Sequence, residues 1–223
     1  MSEWWTYSLT NFLLFSPRTY YRLFELTNAD IWPLQLVTLA LGLTIAFFMM
    51  RSQAWSGRAI AAILAALWLF VAWTYFLERY DTINWAARYF AIAFVLQAAL
   101  LVWTGVIRNR LGFDPPPRWI GLALFLYALA IHPLIAPLAG RPITQAEIFG
   151  LAPDPTALAT LGILLAAARP PPHLFAIPVL WCLITGLTLW TMESPEAPVA
   201  PLFALLTVAV AISEALAARR KMR

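Results

Sequence analysis

Residues 146–172 read AEIFGLAPDPTALATLGILLAAARPPP. The stretch is apolar enough to cross a bilayer, yet Pro153, Asp154 and Pro155 interrupt it after a few residues. A proline inside a helix removes a backbone donor and crowds the preceding turn. A carboxylate in hydrocarbon needs a partner, a water-filled pocket or a path to the interface. Whether this stretch crosses, dips or stays outside decides the architecture.

The rest of the chain argues for lipid as its solvent. Hydrophobic residues make up 62% of the 223 and charged ones 12%, against about 25% charged in ordinary soluble domains. Seven apolar segments stand out: 31–50, 59–76, 85–107, 119–138, the broken 148–168, 174–192 and 199–218. The first holds 20 residues, the length needed for a ~30 Å hydrocarbon core at ~1.5 Å per residue. The opening MSEWWTYS has no basic n-region, apolar h-region or small-residue cleavage site, so no removable signal peptide is expected.

Arginine placement tests the count. With seven crossings, one side holds Arg51, Arg58, Arg108, Arg110, Arg118, Arg169, Arg219, Arg220, Lys221 and Arg223, and the other Arg18, Arg22, Arg79, Arg88 and Arg141. The positive-inside rule then puts the C-terminus in the cytoplasm and the N-terminus outside. If the broken segment merely dipped and returned, the basic tail would join Arg141 outside and the bias would vanish. The fifth segment is therefore expected to cross. The predicted fold is an all-α integral membrane bundle of seven transmembrane helices, the fifth interrupted.

Before the first span, Ser16 and Pro17 read as an N-cap and first helical residue. Tyr20, Leu23 and Phe24 recur at helical spacing, with Arg18, Arg22 and Glu25 on other faces. Residues 1–28 are thus expected to form an interfacial amphipathic segment, an anchor or lid on the outer side, and residues 29–223 the transmembrane domain.

A net charge of +4 would suggest nucleic acid in a soluble protein. Here the basic residues flank apolar segments, so anionic headgroups and insertion topology account for them, and no nucleic-acid partner is expected. Cys182 is the only cysteine, and His132 and His173 are the only histidines. An intramolecular disulfide is excluded, and neither a metal centre nor another cofactor is expected. No GxSxG, HExxH or glycine-rich phosphate loop occurs, so the chain does not read as an enzyme.

The polar residues inside the spans are the candidates for function. His132 lies thirteen residues into the fourth segment, ~20 Å from its cytoplasmic end, and Pro155 lies at a similar depth counted back from Ala168. Pro133 and Pro137 break the fourth segment. The outer loop AGRPITQAE would then bring His132, Arg141, Glu147 and Asp154 to one vestibule, with Arg88 and Gln35 a turn inside the same boundary. Interrupted helices of this kind build solute sites in transporters. The plainer readings are that Asp154 caps a helix starting at Pro155, that His132 bonds a freed carbonyl, and that Arg88 snorkels or pairs with Asp81.

The runs FLLFSPRTYYRLFELTNADIWPLQ, HPLIAPLAGRPITQAEIFGLAPDPTALATLGILL and IPVLWCLITGLTLW resemble an uncharacterised bacterial family of multi-pass membrane proteins, known only as a domain of unknown function. Some of its members carry a permease label. The resemblance implies a bacterial inner-membrane location and transfers no activity. Two functions fit: a small-solute or ion permease or binding subunit with an outward-facing polar pocket, or an accessory or structural membrane protein acting through partner subunits. In either case the bilayer is a partner.

Overall fold

The protein is described by a computed structural model covering residues 15–51, 53–113, 118–168 and 170–221. Residues 1–14 of the expected interfacial segment, and Arg169 and Arg223 of the basic set, lie outside the described residues. The described chain is all-helical, and five of its helices are long and apolar enough to cross a membrane: Leu34–Arg51, Ser56–Thr82, Ala87–Ile107, Trp119–Leu138 and Pro172–Thr191. These match the first, second, third, fourth and sixth apolar segments of the sequence. Many large apolar side chains face outward; on α2 (Leu34–Arg51) they include Leu36, Val37, Leu39, Leu43, Phe47 and Met50.

The first helix, α1 (Pro17–Asp30), begins as the sequence predicts. Ser16 is the N-cap, its hydroxyl accepting from the Thr19 amide, and Pro17 occupies the first turn. Its buried face carries Tyr20, Tyr21, Leu23, Phe24 and Thr27, with the Phe24 ring stacked on Tyr75 at 5.1 Å. This helix lies against the end of the bundle as a strap.

Three helices loosen into π-helical turns before they end. α3 (Ser56–Val71) continues as Ala72–Leu77, α4 (Ala87–Leu101) as Val102–Ile107, and α5 (Trp119–Leu126) as Tyr127–Ile131. After α5 the chain makes a 3-10 turn, His132–Leu134, and the short α6 (Ile135–Leu138). The break into a 3-10 turn and a short helix falls where Pro133 and Pro137 cannot donate to the preceding turn.

The broken segment lies at the centre. Its helix, α7 (Pro153–Ala166), is buried at every one of its 14 residues and packs against α3, α5, α8 (Ala176–Thr191) and α9 (Val199–Lys221). It starts at Pro153 with Ala152 as N-cap and no side-chain cap, which corrects the expectation of a start at Pro155 capped by Asp154. The physical reason lies in the prolines. Pro153 and Pro155 have no N–H, so two of the four donors that a helix start leaves orphaned do not exist. Fourteen residues give ~21 Å of helix, short of a full crossing. A buried, non-helical hook carrying Ala146, Glu147, Phe149 and Leu151 precedes it. Gly150 turns that hook at φ +79, and its amide donates to Thr156 Oγ1 at 2.9 Å. In α9 the apolar stretch is Val199–Glu214, also below spanning length.

Successive helix ends meet at two poles. At one, Ala168 N donates to Gly112 O, Arg118 N to Ala166 O, and Arg118 pairs with Glu214. At the other, Arg79 pairs with Asp30, Asn28 Nδ2 donates to the Thr144 and Ala146 carbonyls at 2.9 Å, and Tyr21 donates to Glu196. The first pole is rich in arginine and the second holds most of the acids.

α5 and α7 touch backbone to backbone. A Cβ on Gly162 would stand 2.6 Å from Phe125 N and 2.9 Å from Gly121 O. Small residues at such crossings let dispersion act over the whole contact. Gly162→Ala is expected to cost about 1–3 kcal/mol through forced overpacking, read as a lower Tm in detergent. Gly112→Ala, where a Cβ meets nothing within 4 Å, is expected to leave Tm near wild type.

Candidate functional site

The interruption of the fifth segment places one carboxylate in the interior. Asp154 is 2% exposed and sits in the first turn of α7, where the helix dipole favours negative charge. Its side chain does not cap that turn. Oδ1 accepts from Trp181 Nε1 at 2.7 Å and Oδ2 from Thr185 Oγ1 at 2.8 Å. Both donors come from α8, so each carboxylate oxygen is already committed across the helix pair. Trp181 is fixed in turn by Phe76, Phe90 and Phe94, with ring centroids 5.1, 5.3 and 5.5 Å away. Thr185 lies six residues before the end of α8, ~9 Å along the helix, so the carboxylate sits within the helix bundle and not at its end.

Asp154 lines a pocket with His132, Ile135, Ala136, Arg141, Glu147, Leu189, Glu196, Val199 and Ala200. Each polar member arrives by a different irregular piece of backbone. His132 stands on the 3-10 turn after the π segment of α5. Arg141 follows Gly140, which turns the chain at φ +75, and Glu147 sits on the hook before α7. Glu196 lies in the loop between α8 and α9.

The contacts divide the pocket into two halves. In one, His132 Nε2 is 3.9 Å from Glu147 Oε2. In the other, Arg141 Nη2 donates to Glu196 Oε1 at 2.5 Å, and its guanidinium lies 3.6 Å over the Tyr21 ring. Tyr21 Oη donates to the same Glu196 oxygen at 2.7 Å. Burial pushes the Tyr21 phenol above its usual range, so it acts there as a donor. Four buried polar atoms on the lining residues have no hydrogen-bond partner in the protein: His132 Nδ1, Arg141 Nη1, Glu147 Oε2 and Glu196 Oε2.

Of the six residues singled out from sequence, the structure brings together His132, Arg141, Glu147 and Asp154. Arg88 stands apart. It grips Asp81 with Nε and Nη2, at 3.0 and 2.9 Å, on the exposed surface, which is the ion pair anticipated as its plainer reading. Gln35 is also elsewhere, donating from Nε2 to Asn28 O at 2.7 Å. Neither residue lines the pocket, and depth along the helices alone could not show that. Glu196, Tyr21, Trp181 and Thr185 were missed. The available signal for Glu196 was a lone arginine, Arg141, with no counter-charge assigned at its own end of the chain's spans.

Chemically, three carboxylates face one guanidinium and one imidazole. With the carboxylates ionised the group is net negative whether or not His132 carries a second proton. The pocket volume of about 10 Å3 is room for about one water molecule, far below the several hundred Å3 of a metabolite site. Among the described residues no three His, Cys, Asp or Glu side chains are grouped to hold a metal ion.

Asp154→Asn is expected to lower stability by about 1–3 kcal/mol, because one amide edge donates and leaves a buried partner unpaired. Asp154→Ala is expected to cost more, since both Trp181 and Thr185 lose their acceptor. Thermal denaturation of the two variants beside wild type checks the order.

No curated protein and no solved structure matches the chain. A family model does match: the Family of unknown function (DUF6064) covers residues 18–222, nearly the whole sequence, and the chain belongs to that family.

Proposed function

We propose that this chain is a seven-pass integral membrane protein of the bacterial inner membrane, and that it works as a small-ion permease or ion-binding subunit through the His132–Glu147–Asp154–Glu196 pocket. The observation that carries the reading is the set of four buried polar atoms without protein partners on one pocket lined by three carboxylates, a guanidinium and an imidazole. Buried polar atoms are nearly always bonded, so a concentration of unbonded ones asks for a ligand.

Lipid embedding is supported by tryptophan placement. Exposed Trp32, Trp73, Trp85 and Trp190 fall toward the acidic pole, and exposed Trp55, Trp103 and Trp119 toward the basic one. Trp55 to Trp73 and Trp85 to Trp103 are each eighteen residues, ~27 Å of helical rise, close to the thickness of a hydrocarbon core. Aromatic belts of this kind mark the two interfaces. The arginine-rich pole would then be cytoplasmic and the pocket would open toward the outside. In this reading α7 with its hook is the fifth crossing and α9 the seventh. The accessory reading, with function passing through partner subunits, draws its support from the small pocket volume, which leaves no room for a metabolite.

Two experiments test these readings. In a Cys182→Ser background, a membrane-impermeant maleimide applied to intact cells is expected to label Thr144→Cys and to reach Pro172→Cys only after permeabilisation. Equal labelling of both would refute a crossing by the α7 segment. For the pocket, a thermal-shift series with monovalent ions is expected to stabilise wild type, with the shift lost in His132→Ala. A flat response to these ions and to protons alike would favour the accessory role.

A further inference from the structure

The chemistry of the pocket narrows its ligand. Asp154 has both oxygens committed to Trp181 and Thr185, and Glu196 Oε1 is shared by Arg141 and Tyr21. The fully buried atoms left without a protein donor are Glu147 Oε2, Glu196 Oε2 and, when the ring proton is on Nε2, His132 Nδ1. A hard metal cation asks for about six oxygens converging at short range, and among the described residues no three His, Cys, Asp or Glu side chains converge in that way. Its residues are nonetheless deeply buried: His132 and Glu147 are 7% exposed and Glu196 8%. An excess of negative charge in such a place is costly, and a proton relieves it without needing a coordination shell.

Resting on the ion-binding reading above, we propose that the ligand of this pocket is a proton, held by the His132 imidazole and shared with Glu147, with one water completing the path. Uptake transfers H+ from water on the pocket side to a ring nitrogen of His132. An O–H bond of a hydronium ion breaks and leaves neutral water, one N–H bond forms on the ring, and the pocket gains the one positive charge. Its nearest acceptor is Glu147 Oε2, at 3.9 Å from Nε2, a gap that one bridging water or a small closing movement spans.

Every element around the ring contributes to the balance. Glu147 faces it from the hook, Asp154 from α7, Glu196 from the loop before α9, and Arg141 from the loop after α6. Tyr127 meets it edge-on from the π segment, at 6.2 Å between ring centroids. Tyr21 lies behind Arg141, and the phenols of Tyr20, Tyr75 and Tyr80 are within electrostatic reach of Asp154. α8 contributes Leu189 to the lining and, deeper, the Thr185 and Trp181 donors. Arg141 opposes the proton, but it is already paired with Glu196, so Glu147 and Asp154 remain to favour it.

The test uses the full-length protein in lipid nanodiscs with 15N-labelled histidine. The chain has two histidines, so His173→Asn assigns the His132 signals. His132 is expected to pass from the one-proton to the two-proton ring form as the proton concentration is raised. In Glu147→Gln the proton concentration at half conversion should rise about tenfold or more, while Asp81→Asn, at the surface pair with Arg88, should leave it unchanged. A His132 ring that keeps one proton throughout in wild type overturns the inference without recourse to any variant. A conversion that Glu147→Gln does not move overturns the shared site. Thermal denaturation of the same samples with Na+, K+ or NH4+ at constant pH separates the two levels of the argument. Stabilisation by one of these ions with an unresponsive His132 overturns the proton and keeps the pocket as an ion site. No response to protons or ions removes both.

Discussion

The carboxylate of Asp154, bonded to Trp181 and Thr185 in the middle of the protein, is the constraint around which the other elements are arranged. A charge-bearing group so deeply buried is tolerable only when its acceptors are used, and here both are used by a neighbouring helix. The bond pair sets α7 against α8 in depth and rotation. The aromatic group of Phe76, Phe90 and Phe94 holds the indole from behind, which ties α3 and α4 to the same point. Breaking the fifth segment at Pro153 is what allows the carboxylate to sit on a first helical turn, with two orphan amides already removed by proline.

The rest of the molecule follows from where polar atoms are allowed. Apolar side chains cover the outside of the helices, while threonines inside return their hydroxyls to the chain: Thr44 to Ala40 O, Thr160 to Thr156 O, Thr188 to Ile184 O. Thr160 also accepts from Trp68 Nε1 at 2.9 Å. Gln97 reaches across to Leu174 O at 3.1 Å. Single unbonded atoms also occur at Thr27, Gln35, Tyr75 and Gln97, but the His132–Arg141–Glu147–Glu196 group is conspicuous because four of them are concentrated on one pocket.

Much of this was legible in the residues, and the failures have physical causes. Ser16-Pro17 announced the start of α1 because capping is decided locally, within one turn. The helices of membrane length were legible because hydrocarbon thickness fixes a minimum apolar length. His132, Arg141, Glu147 and Asp154 could be brought together because the fourth and fifth segments are joined by a short loop and share one end. Glu196 could not, since its place depends on how α9 returns beside α8, a lateral fact with no trace in periodicity. The role of Asp154 was misjudged for a similar reason. A carboxylate beside a helix start suggests a cap on local grounds, and only the neighbouring helix reveals the indole and hydroxyl that outcompete the amides.

The strap formed by α1 has a consequence for how the protein is made. Tyr21 bonds Glu196, 175 residues later in the chain, and Asn28 bonds the carbonyls of Thr144 and Ala146. Contacts between segments so distant in sequence are intrinsically late events in folding. A nascent polypeptide emerging from the ribosome therefore holds α1 without its eventual seat until α8 and the loop after it have been synthesised. Truncated products would carry the early helices but no finished pocket, and quality-control proteases would meet an unlatched N-terminal segment on every incomplete copy.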